Sequence, residues 1–177
     1  MLLGLALSPL AVILANVFGF SLYSRAGLDS MLNTYFGKLG FNDILTNELL
    51  VNSYDFNSKQ PRFFSKYFMQ HDKGNYDVLL RTAVGGSSSA PGYFDPEEIS
   101  NGYNITSFLI DGAIICNNPA LYAYILASEL HDKKKVRLLS IGTGDDTKPE
   151  IDLHDAKSYS KAKNIEFLTD FTIEIET

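Results

Sequence analysis

Residues 107–141 read SFLIDGAIICNNPALYAYILASELHDKKKVRLLSI, and this stretch decides the fold that we expect. Residues 107–110 predict a buried strand because they are mostly apolar. Asn117-Asn118-Pro119 predicts a helix start, with Asn as the cap and Pro at the first helical position, and the helix continues over residues 120–130. Residues 136–141 predict a second apolar strand. A strand, a helix and a strand in this order predict a right-handed parallel βαβ unit and an α/β fold.

Two loops would lie at the carboxyl ends of these strands, where open parallel sheets bind ligands: Asp111-Gly112-Ala113 and Gly142-Thr143-Gly144-Asp145. From its position, Asp111 could be a general base, a magnesium ligand or a ribose contact, or it could simply cap a turn or form a salt bridge. The second loop resembles a phosphate-binding turn, but it lacks the third glycine and the following helix of that motif.

The rest of the chain predicts further elements around this unit. Periodicity predicts two short helices over residues 30–50, broken near Gly40, and a β-hairpin over residues 50–65. Residues 75–84 predict a helix that stops at Gly85-Gly86. Residues 145–177 are acidic with weak periodicity, and residues 164–176 could be a strand or an amphipathic segment. We expect one domain over residues 1–177.

Composition excludes several classes of protein. Of the 177 residues, 45% are hydrophobic and 20% are charged, which is typical of a globular domain. The single cysteine, Cys116, excludes a disulfide framework, and no two of the three histidines stand at a metal-ligand spacing. A net charge of -6 argues against nucleic-acid binding. We therefore expect neither a metal nor a cofactor nor a nucleic-acid partner.

Residues 1–20 contain no charged side chain, and three hypotheses compete for them. A secretory signal would need a basic start, which is absent. A membrane span would need about 20 apolar residues, but Ser8, Pro9, Asn16 and two glycines interrupt this stretch. The third hypothesis is a helix buried against a sheet.

Serine chemistry has only a weak local signal. Ser88, in the segment Gly86-Ser87-Ser88-Ser89-Ala90, invites comparison with a nucleophile elbow, but that motif needs a strand before the serine and a helix after it. Here a helix comes first, so a packed helix end is the simpler interpretation. No histidine has partners that suggest a Ser-His-Asp triad.

Taken together, four motifs resemble the patatin-like phospholipase family over about residues 20–145. They are Ser88-Ser89-Ala90-Pro91-Gly92-Tyr93-Phe94, Leu109-Ile110-Asp111-Gly112-Ala113, Asn117-Asn118-Pro119-Ala120 and Leu139-Ser140-Ile141-Gly142-Thr143-Gly144. The resemblance implies an α/β/α sandwich with a mainly parallel sheet. It also implies a lipid acyl hydrolase with a Ser-Asp dyad, in which Asp111 of the Asp111-Gly112-Ala113 motif is the proton acceptor. The implied partners are a lipid or acyl ester and, transiently, a membrane or lipid-droplet surface.

The sequence departs from the family at its start. The family's G-G-G-x-[RK]-G oxyanion loop and its G-x-S-x-G nucleophile elbow are not found in these 177 residues. The resemblance therefore implies a domain truncated at its N-terminus, with Met1 an internal methionine and residues 1–20 the apolar helix that follows the elbow. We expect the chain alone to be inactive, and its sheet to have an exposed edge or an unfilled core surface.

The alternative function is a non-catalytic remnant of the same fold that binds lipid or a partner protein. The absence of a basic signal region and the single cysteine favour the cytoplasm or a membrane surface that faces it. Head-group preference, acyl-chain preference and oligomeric state have no signal in the sequence.

Overall fold

The structure, a computed structural model, describes residues 21–71, 78–100, 106–131 and 135–142. The chain divides into two units, residues 1–116 and residues 117–177. The predictions for residues 1–20 and 145–177 lie outside the described residues.

The first unit contains helices and two consecutive pairs of short strands. Its helices are α1 (Arg25–Phe36), α2 (Lys66–His71), α3 (Leu80–Ser87) and α4 (Ala113–Cys116), and a 3-10 turn covers Phe41–Asp43. Its strands are β1 (Val51–Asp55), β2 (Gln60–Phe64), β3 (Glu97–Ser100) and β4 (Thr106–Asp111). The predicted helix at residues 75–84 corresponds to α3, which begins later and continues through both glycines to Ser87.

The four strands form one sheet in the order β2-β1-β4-β3, and every neighbouring pair is antiparallel. The chain therefore has the α/β content that we expected, but the prediction of a mainly parallel sheet is wrong for the described residues. The cause is β4, whose neighbours are β1 and β3 rather than a strand after the next helix. The length of the strands and their spacing along the sequence do not determine which strands become neighbours in the sheet.

The predicted β-hairpin is confirmed as β1 and β2, with Val51 opposite Phe64 and Asp55 opposite Gln60. Asp55 organises the turn, since its Oδ1 accepts hydrogen bonds from the amides of Asn57 and Ser58 at 3.0 and 3.2 Å. An Asp side chain that binds the amides two and three residues later is a common way to stabilise a tight turn.

The hydrophobic core of this unit lies between the sheet and its helices. Helix α3 packs on β1, β4 and β3, and α1 packs on α3. Side chains from strands, helices and loops meet in this core: Phe41, Phe64, Val78, Leu80, Ala83, Ile99 and Leu109. The second of the two helices predicted over residues 30–50 is not formed. Only the 3-10 turn follows α1 in this range.

The second unit contains α5 (Ala120–Leu130). Its predicted span is confirmed, but Pro119 is the N-cap residue rather than the first helical residue, and Asn118 Oδ1 accepts a hydrogen bond from the Ala120 amide at 3.1 Å. The strand predicted for residues 136–141 is not formed, so the predicted βαβ unit is also wrong. Leu138, Leu139 and Ile141 are 52%, 81% and 84% exposed, so this apolar run has no burial to support a strand.

A search of the described residues finds no helix that is long and apolar enough to cross a membrane. The candidate span at residues 1–20 is not among them.

Candidate active site

Asp111 is the last residue of β4 and lies opposite Ser53 of β1. Its amide donates a hydrogen bond to the Ser89 carbonyl at 3.0 Å, which joins the end of β4 to the segment after α3. Its Oδ1 accepts a hydrogen bond from the Ala113 amide at 2.8 Å. The carboxylate of Asp111 is therefore held at the point where the strand ends and α4 begins.

Burial raises the pKa of the Asp111 carboxyl above its usual value, and the hydrogen bond from the Ala113 amide opposes part of that shift. A partly buried carboxylate without a facing cation is a stronger proton acceptor than one in water. Within the described residues, no side-chain cation donates a hydrogen bond to this carboxylate. The electrostatics of Asp111 thus suit a general base.

Asn52 fixes the turn that follows Asp111. Its buried Nδ2 donates hydrogen bonds to the Gly112 carbonyl at 3.1 Å and to the Cys116 carbonyl at 2.8 Å. A Cβ at Gly112 would lie 2.4 Å from the Asn52 carbonyl oxygen and 2.5 Å from Asn52 Nδ2. The turn therefore needs glycine because of close packing against β1, and the Asn52 amide then ties both ends of α4 to that strand.

Asn52 was not predicted from the sequence as a site residue, although it provides most of this support. The contacts link residues 60 and 64 positions apart, so periodicity gives no sign of them. The available signal was a carboxamide inside a strand-forming run, since a buried carboxamide must find hydrogen-bond partners.

Ser53 and Ser89 lie next to the turn and Ser88 precedes Ser89 in the chain, and each of the three hydroxyls already donates a hydrogen bond to a backbone carbonyl. Ser53 donates to Ile110 at 2.7 Å, Ser88 to Val84 at 2.8 Å and Ser89 to Gly85 at 2.6 Å. Ser53 and Ser89 are also fully buried. The structure places Ser88 at the C-cap of α3, which supports its interpretation as a packed helix end.

The sequence also singled out the glycine loop at residues 142–145 and the histidines. A Cβ at Gly142 would meet nothing within 4 Å, and Thr143 and Gly144 lie outside the described residues. His71 binds the Tyr67 carbonyl through Nδ1 at 2.8 Å, and His131 caps the C-terminus of α5. In the part of the chain that the structure describes, no three His, Cys, Asp or Glu side chains could jointly hold a metal ion.

Two open depressions of about 640 and 370 Å³ flank α1. Asp29 lines both, together with Arg25 in the larger one and Glu97 in the smaller one. Asp111 lines neither of them. We place the candidate site at Asp111 because its half-buried carboxyl has a raised pKa and accepts a backbone amide, whereas the Asp29 and Glu97 carboxylates pair with Arg25.

Comparison with known proteins gives the family. The family model described as "Patatin-like phospholipase" matches residues 5–124. This match begins and ends earlier than the resemblance over about residues 20–145, and it includes the Asp111 turn.

Three curated relatives agree with that match. Patatin-like protein 1 of Arabidopsis thaliana is 32% identical over 84% of the chain. Patatin-like protein 2 of Oryza sativa subsp. indica is 28% identical over 77%, and Patatin-like protein 4 of Arabidopsis thaliana is 26% identical over 69%. The chain covers 39%, 38% and 33% of these three proteins, so it spans between a third and two fifths of their length. The chain belongs to the patatin-like phospholipase family.

Proposed function

We propose that this chain supplies the proton acceptor of a serine-dependent lipid acyl hydrolase, and that Asp111 is that acceptor. The observation that carries the proposal is the Asp111 turn. A half-buried carboxylate of raised pKa is held by one backbone amide at the end of β4, on a backbone that Asn52 fixes.

In the proposed reaction, Asp111 accepts the proton of a serine hydroxyl as the serine oxygen attacks the ester carbonyl carbon. The same carboxyl group then returns that proton to the leaving alcohol, and an acyl-enzyme remains. In the second half, Asp111 takes a proton from water, the hydroxide oxygen attacks the acyl carbon, and the proton passes to the serine. The two steps release an alcohol and a fatty acid and restore both groups.

The nucleophile of this proposal is not one of the serines around the turn. Ser53, Ser88 and Ser89 would each have to break a hydrogen bond to backbone before reacting, and two of the three are fully buried. We therefore assign the nucleophile to a G-x-S-x-G segment and the oxyanion donors to a glycine-rich loop, as the family resemblance implies, and neither motif is in these 177 residues.

The experiment compares ester hydrolysis by two proteins: the 177-residue chain, and the same chain with the family's oxyanion loop and G-x-S-x-G segment joined ahead of Met1. We expect the chain alone to leave a short acyl ester intact and the joined protein to hydrolyse it. Asp111→Asn in the joined protein should reduce kcat/KM by a factor of at least about 10².

Glu98→Gln is the matched control, because Glu98 is an exposed acid on β3, the strand next to β4. It should retain full activity. Hydrolysis by the 177-residue chain alone, or an undiminished rate in Asp111→Asn, would contradict the proposal. Vesicle binding without hydrolysis in the joined protein would favour the non-catalytic alternative.

A further inference from the structure

The Arg25 guanidinium joins α1 to the segments that follow α3. Its Nη1 donates hydrogen bonds to Ser89 Oγ at 2.6 Å and to the Asp95 carbonyl at 2.7 Å. Its Nη2 pairs with the carboxylates of Glu97 and Asp29, the latter at 3.2 Å. The Arg25 and Glu97 side chains are only 14% and 18% exposed. The Arg25–Glu97 pair is therefore largely shielded from water, unlike an ordinary surface ion pair.

Ser89 connects this cluster to the candidate active site. Its hydroxyl is fully buried, donates to the Gly85 carbonyl at 2.6 Å and accepts from Arg25. Its backbone carbonyl accepts the hydrogen bond from the Asp111 amide at 3.0 Å. Ser89 follows the end of α3, where its own amide donates a hydrogen bond to the Gly86 carbonyl at 3.2 Å. The bonds to Gly86 and Gly85 are local, whereas the Arg25 contact links Ser89, and with it the carbonyl that binds the Asp111 amide, to α1.

The Arg25–Glu97 ion pair packs closely against Gly85 of α3. A Cβ at Gly85 would lie 2.9 Å from a carboxylate oxygen of Glu97 and 3.2 Å from Arg25 Nη2. Glu97 lies opposite Leu109 in the β3–β4 ladder, and Leu109 is two residues before Asp111 in β4. One guanidinium thus contacts the hydroxyl of Ser89, whose carbonyl binds the Asp111 amide, and the Glu97 side chain on β3, the strand beside β4. The guanidinium presents its donors in a rigid planar fork, which suits these separated acceptors better than the compact ammonium group of lysine.

We propose that Arg25 is a positioning residue for Asp111, acting through the hydroxyl and the peptide of Ser89. This inference rests on the proposed role of Asp111 as proton acceptor. Arg25 does not touch the carboxylate. Its effect is to hold the backbone at the end of β4 so that the Asp111 carboxylate stays in one orientation.

The experiment is NMR on the 177-residue chain, with amide hydrogen exchange and the carboxyl titration of Asp111 as readouts. We expect Ser89→Ala and Arg25→Lys each to speed exchange of the Asp111 amide by about tenfold or more, while amides of the β1–β2 ladder keep their rates. The midpoint of the Asp111 titration should move in both variants. Ser89→Ala retains the Arg25–Glu97 pair, so it keeps the inference testable if Arg25 variants unfold.

Arg81→Lys is the matched control, because Arg81 also bridges α3 to α1, through the Asn33 side chain, and no contact joins it to Ser89. It should leave exchange at Asp111 unchanged. An unchanged Asp111 amide in Ser89→Ala and Arg25→Lys, or a uniform loss of protection over the whole sheet, would overturn the inference. Neither readout needs ester hydrolysis, so failure of the proposed function would appear separately in the activity assay.

Discussion

Gly112→Ala tests the packing on which the candidate site depends. The added methyl carbon would lie 2.4 Å from the Asn52 carbonyl oxygen and 2.8 Å from its carbonyl carbon. These atoms belong to β1, which is hydrogen-bonded on both sides, by β2 and by β4, so a side-chain rotation cannot relieve the overlap. The turn must therefore move away from β1.

Moving the turn breaks the Asn52 hydrogen bonds to Gly112 and Cys116. Overpacking costs about 1–3 kcal/mol, and each lost hydrogen bond about 1 kcal/mol. We expect the free energy of unfolding to fall by about 3 kcal/mol, measured by urea denaturation of the 177-residue chain.

Gly27→Ala is the matched control for this variant. Gly27 lies within α1, and a Cβ there would meet nothing within 4 Å. Alanine at this position should therefore raise the free energy of unfolding by about 0.5–1 kcal/mol through its higher helix propensity. If the free energies of unfolding of Gly112→Ala and the unaltered chain differed by less than about 0.5 kcal/mol, the close approach of the turn to β1 would be refuted.

Substitutions at three further positions, Asn52, Asp111 and Leu109, probe the site and its core by denaturation. Asn52→Ala should lower the free energy of unfolding by about 2 kcal/mol, because two hydrogen bonds are lost. Asn52→Asp should lower it further, since a carboxylate cannot donate to the two carbonyls. Equal stability of both variants and the unaltered chain would contradict the assigned bonds. The raised pKa of Asp111 means that the folded state binds this proton more tightly than the unfolded state. The contribution of Asp111 to the free energy of unfolding is therefore complete at low pH and is lost as the pH rises through the pKa of the folded state. Asp111→Asn should accordingly become more stable relative to the unaltered chain as the pH rises from acid to neutral. A pH-independent difference would refute that sign. Leu109→Ala should cost about 2–5 kcal/mol because Leu109 is fully buried, whereas Leu45→Ala, at a fully exposed position, should stay within about 0.5 kcal/mol; similar losses for both would contradict the core assignment.

The sequence predicts local elements of this chain well. The hairpin formed by β1 and β2 follows from residue alternation and turn residues, and α5 follows from its apolar run. Both depend on interactions between residues close in sequence. The position of Asp111 was predicted for the same reason, because an acid followed by glycine at the end of an apolar strand is a local pattern, whereas its role as proton acceptor rests on the family resemblance.

Pairing between distant segments could not be predicted in this way. Strand β3 contains two glutamates and only Ile99 is buried, so its sequence does not look like a strand, yet it pairs with β4. Residues 136–141 have the opposite character, since they are apolar and yet form no strand. Apolar residues predict burial only where a partner surface exists. The Asn52 and Arg25 contacts were missed because they join residues more than 59 positions apart.

The most direct test of the central claim compares two pKa values in the joined protein that hydrolyses esters. One is the pKa of the Asp111 carboxyl, measured by carbon-13 NMR, and the other is the acidic pKa of kcat/KM, which reports the essential base of the free enzyme. If Asp111 accepts the serine proton, the two values coincide above the usual range for an aspartate, and Asp111→Asn removes the activity. Different values, or full activity in Asp111→Asn, would contradict the account.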